Sequence, residues 1–321
     1  MKSLIGVLVM KEREIVFNTD VDIKGTISLP KESEGKLPLV IIIHGSGPVD
    51  RDGNAKVMQM NAYKLFAEFF ASAGVAVLRY DKRGAGESGG DFYETGMWDL
   101  VNDGIAAVKA VREMPEIDPE RIFLLGHSEG CTLIPPINRS AEAAGIILLA
   151  GHAMNVREAS ELQVKLLEEE VERLKGVNGF ILRALKVHTN TASKQKKLFN
   201  EMMDSEAAVM KKGFTKINAK WAREHFKYNI EEDLAAITCP VLSITGNKDV
   251  QVDPRHVHLF AEKVNGPAES YNVSNMNHLL REQEEETSMI KLKSIYKRSL
   301  SNPLSAEMLD IIEAWMKRYI L

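Results

Sequence analysis

The spacing of hydrophobic and polar residues changes along the chain. Glu14 to Phe17 and Val21 to Leu29 alternate, bounded by Asn18-Thr19-Asp20 and by Pro30. That pattern predicts two antiparallel strands. Leu39 to Ile43 is an unbroken apolar run ending in a glycine-rich turn, which suits a central strand buried on both faces. Strand and helix signals then alternate. Met58 to Ala73 has helical spacing and stops at Gly74; Val75 to Tyr80 reads as a strand; Trp98 to Met114 is helical and ends before Pro115. Arg121 to Leu125 is a strand, Gly130 to Arg139 a helix interrupted by Pro135-Pro136, and Ala144 to Ala150 another strand. Such a series implies a mostly parallel sheet with helices on both faces.

After Gly151 the alternation stops. Val156 to Lys175, Phe180 to His188, Lys194 to Lys212 and a segment with Trp221 and Phe226 all read as helical. Strands resume at Cys239 to Thr245 and Ala268 to Val273, and a last helix spans Ser305 to Ile320 with Ser305 as N-cap. A helical block between core strands is an insertion. The expected organisation is a first core part over 1–151, a helical lid over 152–236 and a second core part over 237–321. Glu282 to Glu286 and Lys291 to Arg298 read as a solvated helix face.

Composition narrows the class. With 321 residues, 45% hydrophobic and 27% charged, the chain has ordinary globular usage. Its net charge of -4 argues against a nucleic-acid partner. Two cysteines, Cys131 and Cys239, fit free thiols in a reducing compartment. The apolar run Leu4 to Met10 resembles a short signal segment, but Lys11-Glu12-Arg13-Glu14 follow with no small-residue cleavage site. It reads as an edge strand, the expected location is cytoplasmic, and no run has membrane-spanning length.

The chemistry is concentrated in Gly126-His127-Ser128-Glu129-Gly130, a G-x-S-x-G motif between a strand and a helix. A tight turn there forces Ser128 into a strained conformation, and the flanking glycines remove side chains that would clash. Serine needs a base. In a strand–elbow–helix arrangement the chain order is Ser, acid, His. Of eight histidines, His44, His127, His152, His188 and His225 precede the last two strands. His256 and His258 fall in a helix after Pro254 as surface or packing residues, leaving His278 just past the last strand. Asp249 and Asp253 compete as the acid. Asp253 precedes Pro254 and is explained as a helix cap, so Asp249 is the choice. The oxyanion donors expected are the backbone N–H groups of Glu129 and Ser46, with Gly47 as the alternative to Ser46.

Gly84-Ala85-Gly86-Glu87-Ser88-Gly89 also satisfies G-x-G-x-x-G, but Asp81-Lys82-Arg83 intervenes after the strand and no acid ends the next one. A nucleotide site is not expected there. No metal is expected either: the nearest cluster, His256-Val257-His258, has poor spacing for shared ligation on a helix. Trp221, Phe226, Met202, Met203 and Met210 are candidates for the pocket or for lid packing.

His44-Gly45-Ser46-Gly47-Pro48, Asp81 to Ser88, the elbow, Asp249 and His278 together resemble the α/β-hydrolase superfamily. The likeness runs from about residue 12 to the end and is least specific across 152–236. Within the superfamily the chain is most similar to bacterial capped serine carboxylesterases, whose cores resemble dienelactone hydrolases and prolyl-oligopeptidase-like enzymes. The resemblance implies hydrolysis of a small-molecule ester with no cofactor. Acyl transfer, thioester hydrolysis or peptide cleavage on the same triad are the alternatives, and a non-catalytic binding protein a more distant one. Ser128 in place of Asp or Cys departs from dehalogenase, epoxide-hydrolase and dienelactone-hydrolase chemistry, and the oxyanion motif is shorter than that of some lipases.

Overall fold

The computed structural model describes residues 10–32, 34–184 and 187–321. The run Leu4 to Met10 therefore lies outside the described residues except for Met10, which opens the first strand, β1 (Met10–Asn18). β1 pairs antiparallel with β2 (Asp22–Pro30), and β2 antiparallel with β4 (Ala76–Tyr80). From β4 onward the sheet is parallel, through β3 (Leu37–Ile43), β5 (Ile117–His127), β6 (Gly145–Leu149), β9 (Val241–Gly246) and β10 (Ala268–Val273). The resulting eight-stranded order is β1-β2-β4-β3-β5-β6-β9-β10.

β3 and β6 are apolar without interruption because helices cover both faces. One layer packs Leu39, Ile41, Ile43 and Leu124 against α2 (Met97–Arg112) and α3 (Gly130–Ser140). The other packs Val40, Ile42, Phe123 and Leu125 against α1 (Ala62–Ser72) and α11 (Ala306–Tyr319), where Trp315 is fully buried. The alternation along β3 is thus shared between two cores. Ser305 caps α11 by accepting from the Met308 N–H at 3.4 Å.

Between β6 and β9 run α4 (Val156–Arg173), α5 (Gly176–Ala184), α6 (Val187–Asp204), β7 (Val209–Lys212), β8 (Thr215–Asn218), α7 (Ala219–Lys227) and α8 (Ile230–Leu234). The expectation of a wholly helical insertion is corrected here. The helix predicted to Lys212 stops at Asp204, and β7 and β8 form an antiparallel hairpin. Val209, Met210 and Ile217 supply strand-forming side chains, and Gly213 takes the left-handed conformation (φ 62°) that a tight turn needs. The segment is tied to the core. Asn218 Nδ2 donates to the carbonyls of Phe92 (2.8 Å) and Thr95 (2.6 Å), and Glu224 accepts from the Trp98 N–H (3.0 Å).

Four further expectations are corrected. The helix predicted from Met58 starts at Ala62, because Asn61 adopts a left-handed conformation (φ 50°) that no helix continues through. α3 runs unbroken through Pro135-Pro136. Proline already holds a helical φ, and the buried side chains of Leu133, Ile134 and Ile137 offset the lost N–H bonds. Glu282 to Glu286 is not helical; the helix begins only at α10 (Leu292–Ser299), and the acidic run meets it through a Glu285–Arg298 ion pair (2.6 Å). Asp253 is not the N-cap residue of α9 (His256–Lys263); Arg255 holds that position, and Asp253 accepts from the Arg255 N–H (3.0 Å) one turn earlier.

Candidate active site

β5 ends at His127 and α3 begins at Gly130, so two residues make the whole turn. Ser128 sits in it with φ 55°, a conformation rare for a residue with a side chain. Gly130 is required because a Cβ there would overlap the Ile43 carbonyl oxygen, and one on Gly126 would come within 2.7 Å of the Gly130 backbone. The turn is fastened by the Ser128 N–H donating to Leu149 O (2.9 Å) and the Cys131 N–H donating to Ser128 O (3.0 Å).

Asp249 follows β9 and His278 follows β10, two adjacent parallel strands, so their loops leave the same edge of the sheet. The loops are joined by the Lys248 N–H donating to Met276 O (3.0 Å). The His278 loop is wound around the buried Asn277 side chain, whose Oδ1 accepts from the Leu279 N–H (2.9 Å) and whose Nδ2 donates to Ser299 Oγ (3.0 Å). The result is one hydrogen-bonded chain. Asp249 Oδ2 lies 2.8 Å from His278 Nδ1, and His278 Nε2 lies 2.9 Å from Ser128 Oγ. Asp249 Oδ1 accepts from the N–H groups of Gln251 (2.8 Å) and Val252 (3.0 Å), which fixes the carboxylate plane. Asp253 is turned away onto Arg255 (2.5 Å). His258 bonds Ser270 Oγ at the surface (2.8 Å), away from this chain.

The remaining residues singled out by sequence surround the same point. Ser46 and Ser128 both line a cavity of about 190 Å³, with Glu129, His152, Ser160, Gln163, Trp221 and His278 among its walls. Gly47 has φ 98° and lines a neighbouring chamber rather than this cavity. Met202, Trp221 and Phe226 line that chamber too, whereas Met210 packs beside it and Met203 lines neither. Gly84 to Gly89 opens no helix; it folds over Asp81, which accepts from the Glu87 N–H (2.9 Å) and from Arg51 (2.7 Å). Cys131 is buried, and burial raises its thiol pKa far above the ordinary value. Among the described residues no His, Cys, Asp or Glu group could hold a metal ion, and no helix is long and apolar enough to cross a membrane.

Two networks were not anticipated. The first concerns the Glu129 side chain. It is buried beside the elbow, with Lys82 Nζ 2.6 Å from Oε2 and the Trp221 indole N–H donating to Oε1. His225 Nε2 stands 3.2 Å from Oε1 without hydrogen-bond geometry. Burial alone would raise this carboxyl's pKa, but Lys82 and His225 hold it well below the usual range. Lys82 also donates to Gly45 O (2.8 Å), so one ammonium joins the elbow to the Ser46 turn. The second network runs from the Gly45 N–H to Tyr63 Oη (3.0 Å), on to His127 Nδ1 (3.1 Å), and from His127 Nε2 to His278 O (2.9 Å). Every donor in it finds an acceptor if His127 is neutral and protonated on Nε2. Burial favours the neutral form, lowering its pKa to about 4.

An open, mostly parallel sheet carrying a strained serine elbow defines an α/β-hydrolase. Residues 39–285 match the family described as serine aminopeptidase, S33, and the chain belongs to that family. It is 27% identical to Esterase EstD of Thermotoga maritima over 317 residues, covering 95% of this chain and 67% of that one. Among solved structures it is similar in fold to Est1E from Butyrivibrio proteoclasticus with bound ferulic acid (TM-score 0.59, 18% identity, 90% and 98% coverage). DcsB in complex with a substrate analogue is another such neighbour (TM-score 0.60, 15% identity, 97% and 99% coverage).

Proposed function

We propose that the protein is a serine carboxylesterase acting on small to medium acyl esters through an acyl-enzyme. The observation that carries this is the unbroken Asp249–His278–Ser128 hydrogen-bond chain at the wall of a cavity. Ser128 Oγ attacks the acyl carbon while His278 Nε2 takes its proton. Asp249 holds the Nδ1–H tautomer and stabilises the imidazolium. The backbone N–H groups of Glu129 and Ser46 receive the oxyanion, with Gly47 the alternative second donor. His278 passes the proton to the departing alcohol, and water activated by the same imidazole then releases the acid. Residues 152–236 act as the lid that covers this chemistry.

The family's description raises aminopeptidase activity. A free carboxylate in the pocket would pair with the ammonium of a peptide N-terminus. Among the described residues lining the cavity, Glu129 is the carboxylate, and it is already engaged by Lys82 and Trp221. This favours a neutral ester. Labelling with a fluorophosphonate followed by peptide mapping tests the nucleophile, with an adduct expected on Ser128. Ser128→Ala should lose label and lower kcat by about 10⁴-fold or more; a labelled or active Ala variant overturns the assignment.

A further inference from the structure

Beside the reaction cavity lies a second chamber of about 310 Å³. Its walls are Phe92 from the core and Leu198, Phe199, Met202, Ile217 and Phe226 from the inserted segment. Phe199 and Phe226 meet edge to face at 4.7 Å. The two spaces share Ser46, Ser160 and Trp221. The shared Trp221 wall is fixed, because its indole N–H is bound to the buried Glu129 carboxylate. The rest of the reaction cavity is more polar: Ser128, Glu129, His152, Gln163, Gln251 and His278 line it beside Val156, Ala159 and Val252.

We infer that the apolar chamber receives the acyl group of the substrate and that the leaving alcohol departs along the polar wall. The substrate class is then a medium-chain or aryl acyl ester of a small polar alcohol. The inference rests on the Ser128 esterase reading, because proton delivery sets the direction. As the Ser128 Oγ–acyl carbon bond forms and the bond from that carbon to the alcohol oxygen breaks, His278 Nε2 carries the serine proton to that oxygen. The alcohol must therefore lie on the His278 side. The acyl substituent points the other way, past Ser46 and Trp221, and the chamber opens there. In the second half-reaction water gives its proton to His278 and its oxygen to the acyl carbon, and Ser128 recovers the proton. The chamber's size is at the small end of ligand pockets (~300–1,000 Å³). A charged acyl group would lose water there and meet few polar side chains, those of Ser46, Ser160 and Asn218.

Two ester series measured on the full chain test this. In one, the acyl group runs from acetyl through butanoyl to hexanoyl on a constant alcohol; in the other, the alcohol lengthens on a constant acetyl group. The expected result is a rise in kcat/KM of about fourfold per acyl methylene, the equivalent of ~0.8 kcal/mol per buried CH₂, with little change along the alcohol series. Ala222→Phe, which fills a buried position of the chamber wall, should lower the hexanoyl-to-acetyl ratio, and Phe226→Ala should move the preferred length upward. Hydrolysis that is flat in acyl length, or steeper in alcohol length, overturns the orientation and leaves the esterase reading standing. Absence of both hydrolysis and fluorophosphonate labelling overturns the two together.

Discussion

Lys82→Met removes one charge from a buried ion pair beside the elbow while keeping most of the side chain's volume. The Lys82 and Glu129 side chains are 4% and 2% exposed, so water cannot replace the missing partner. Leaving one member of a buried pair uncompensated costs about 3–5 kcal/mol. Trp221 continues to donate to Glu129 but brings no charge, and His225, 3.2 Å away, stays as the other group that favours the anion, so the cost falls at the low end of that range. The deficit in urea-unfolding free energy should therefore be about 3 kcal/mol at pH 8. It should shrink toward pH 5, because burial pushes the carboxyl's pKa up once Lys82 is gone and it takes up a proton more readily. Lys82→Met/Glu129→Gln removes both charges, and the double variant should regain most of the loss. Activity should follow a different pattern. Lys82 also fixes Gly45 O, and so the turn that presents Ser46. Both variants should lower kcat by about tenfold, a fraction of the 10²–10³ that loss of a whole oxyanion donor costs. A deficit independent of pH, or a double variant as unstable as the sum of its singles, would refute the account of Glu129 as an anion held by Lys82.

Asp249→Asn should lower kcat about 10³–10⁴-fold, since the amide cannot stabilise the imidazolium and favours the wrong tautomer. Asp253→Asn should keep wild-type kcat and lose at most about 1 kcal/mol, the value of a surface pair with Arg255; the reverse pattern in steady-state kinetics would reassign the acid. Stability should fall in mild acid. Burial lowers the pKa of His44 to about 3 and of His127 to about 4, from an ordinary 6.5. Below pH 6.5 the unfolded chain binds protons that the native state refuses, so native stability is lost as pH falls toward those values. Two such groups remove on the order of 3–4 kcal/mol between pH 7 and 5, at ~1.4 kcal/mol per unit each. A urea midpoint that does not change over that range would count against it.

The sheet and the elbow were legible because both are written in neighbouring residues. An unbroken apolar run such as Leu39 to Ile43 reports burial on two faces wherever its partners lie, and Gly126 and Gly130 mark a clash that the local turn itself creates. The hairpin of β7 and β8 was missed because Lys211, Lys212 and Lys216 mask the strand pattern in a lysine-rich stretch that continues a helix. Glu129's partners were missed for a different reason. Lys82 is 47 residues away and Trp221 is 92, and neither carries a local sign of the pairing. One signal was available. Asp81, Lys82 and Arg83 follow a fully buried strand directly, and three charges in succession at such a place are costly unless each is paired. All three are buried and paired, with Arg51, Glu129 and Asp103 respectively. The three charges that precede Gly84 to Gly89 are therefore a set of electrostatic fasteners. Its middle member reaches the residue after the nucleophile, and that residue in turn holds Trp221 of the inserted segment. The Trp221 wall of the cavity and the Gly45–Ser46 turn are thus joined through one carboxylate. A change in the 152–236 segment that releases Trp221 should therefore alter kcat as well as KM, which a wall that only shaped the pocket would not do.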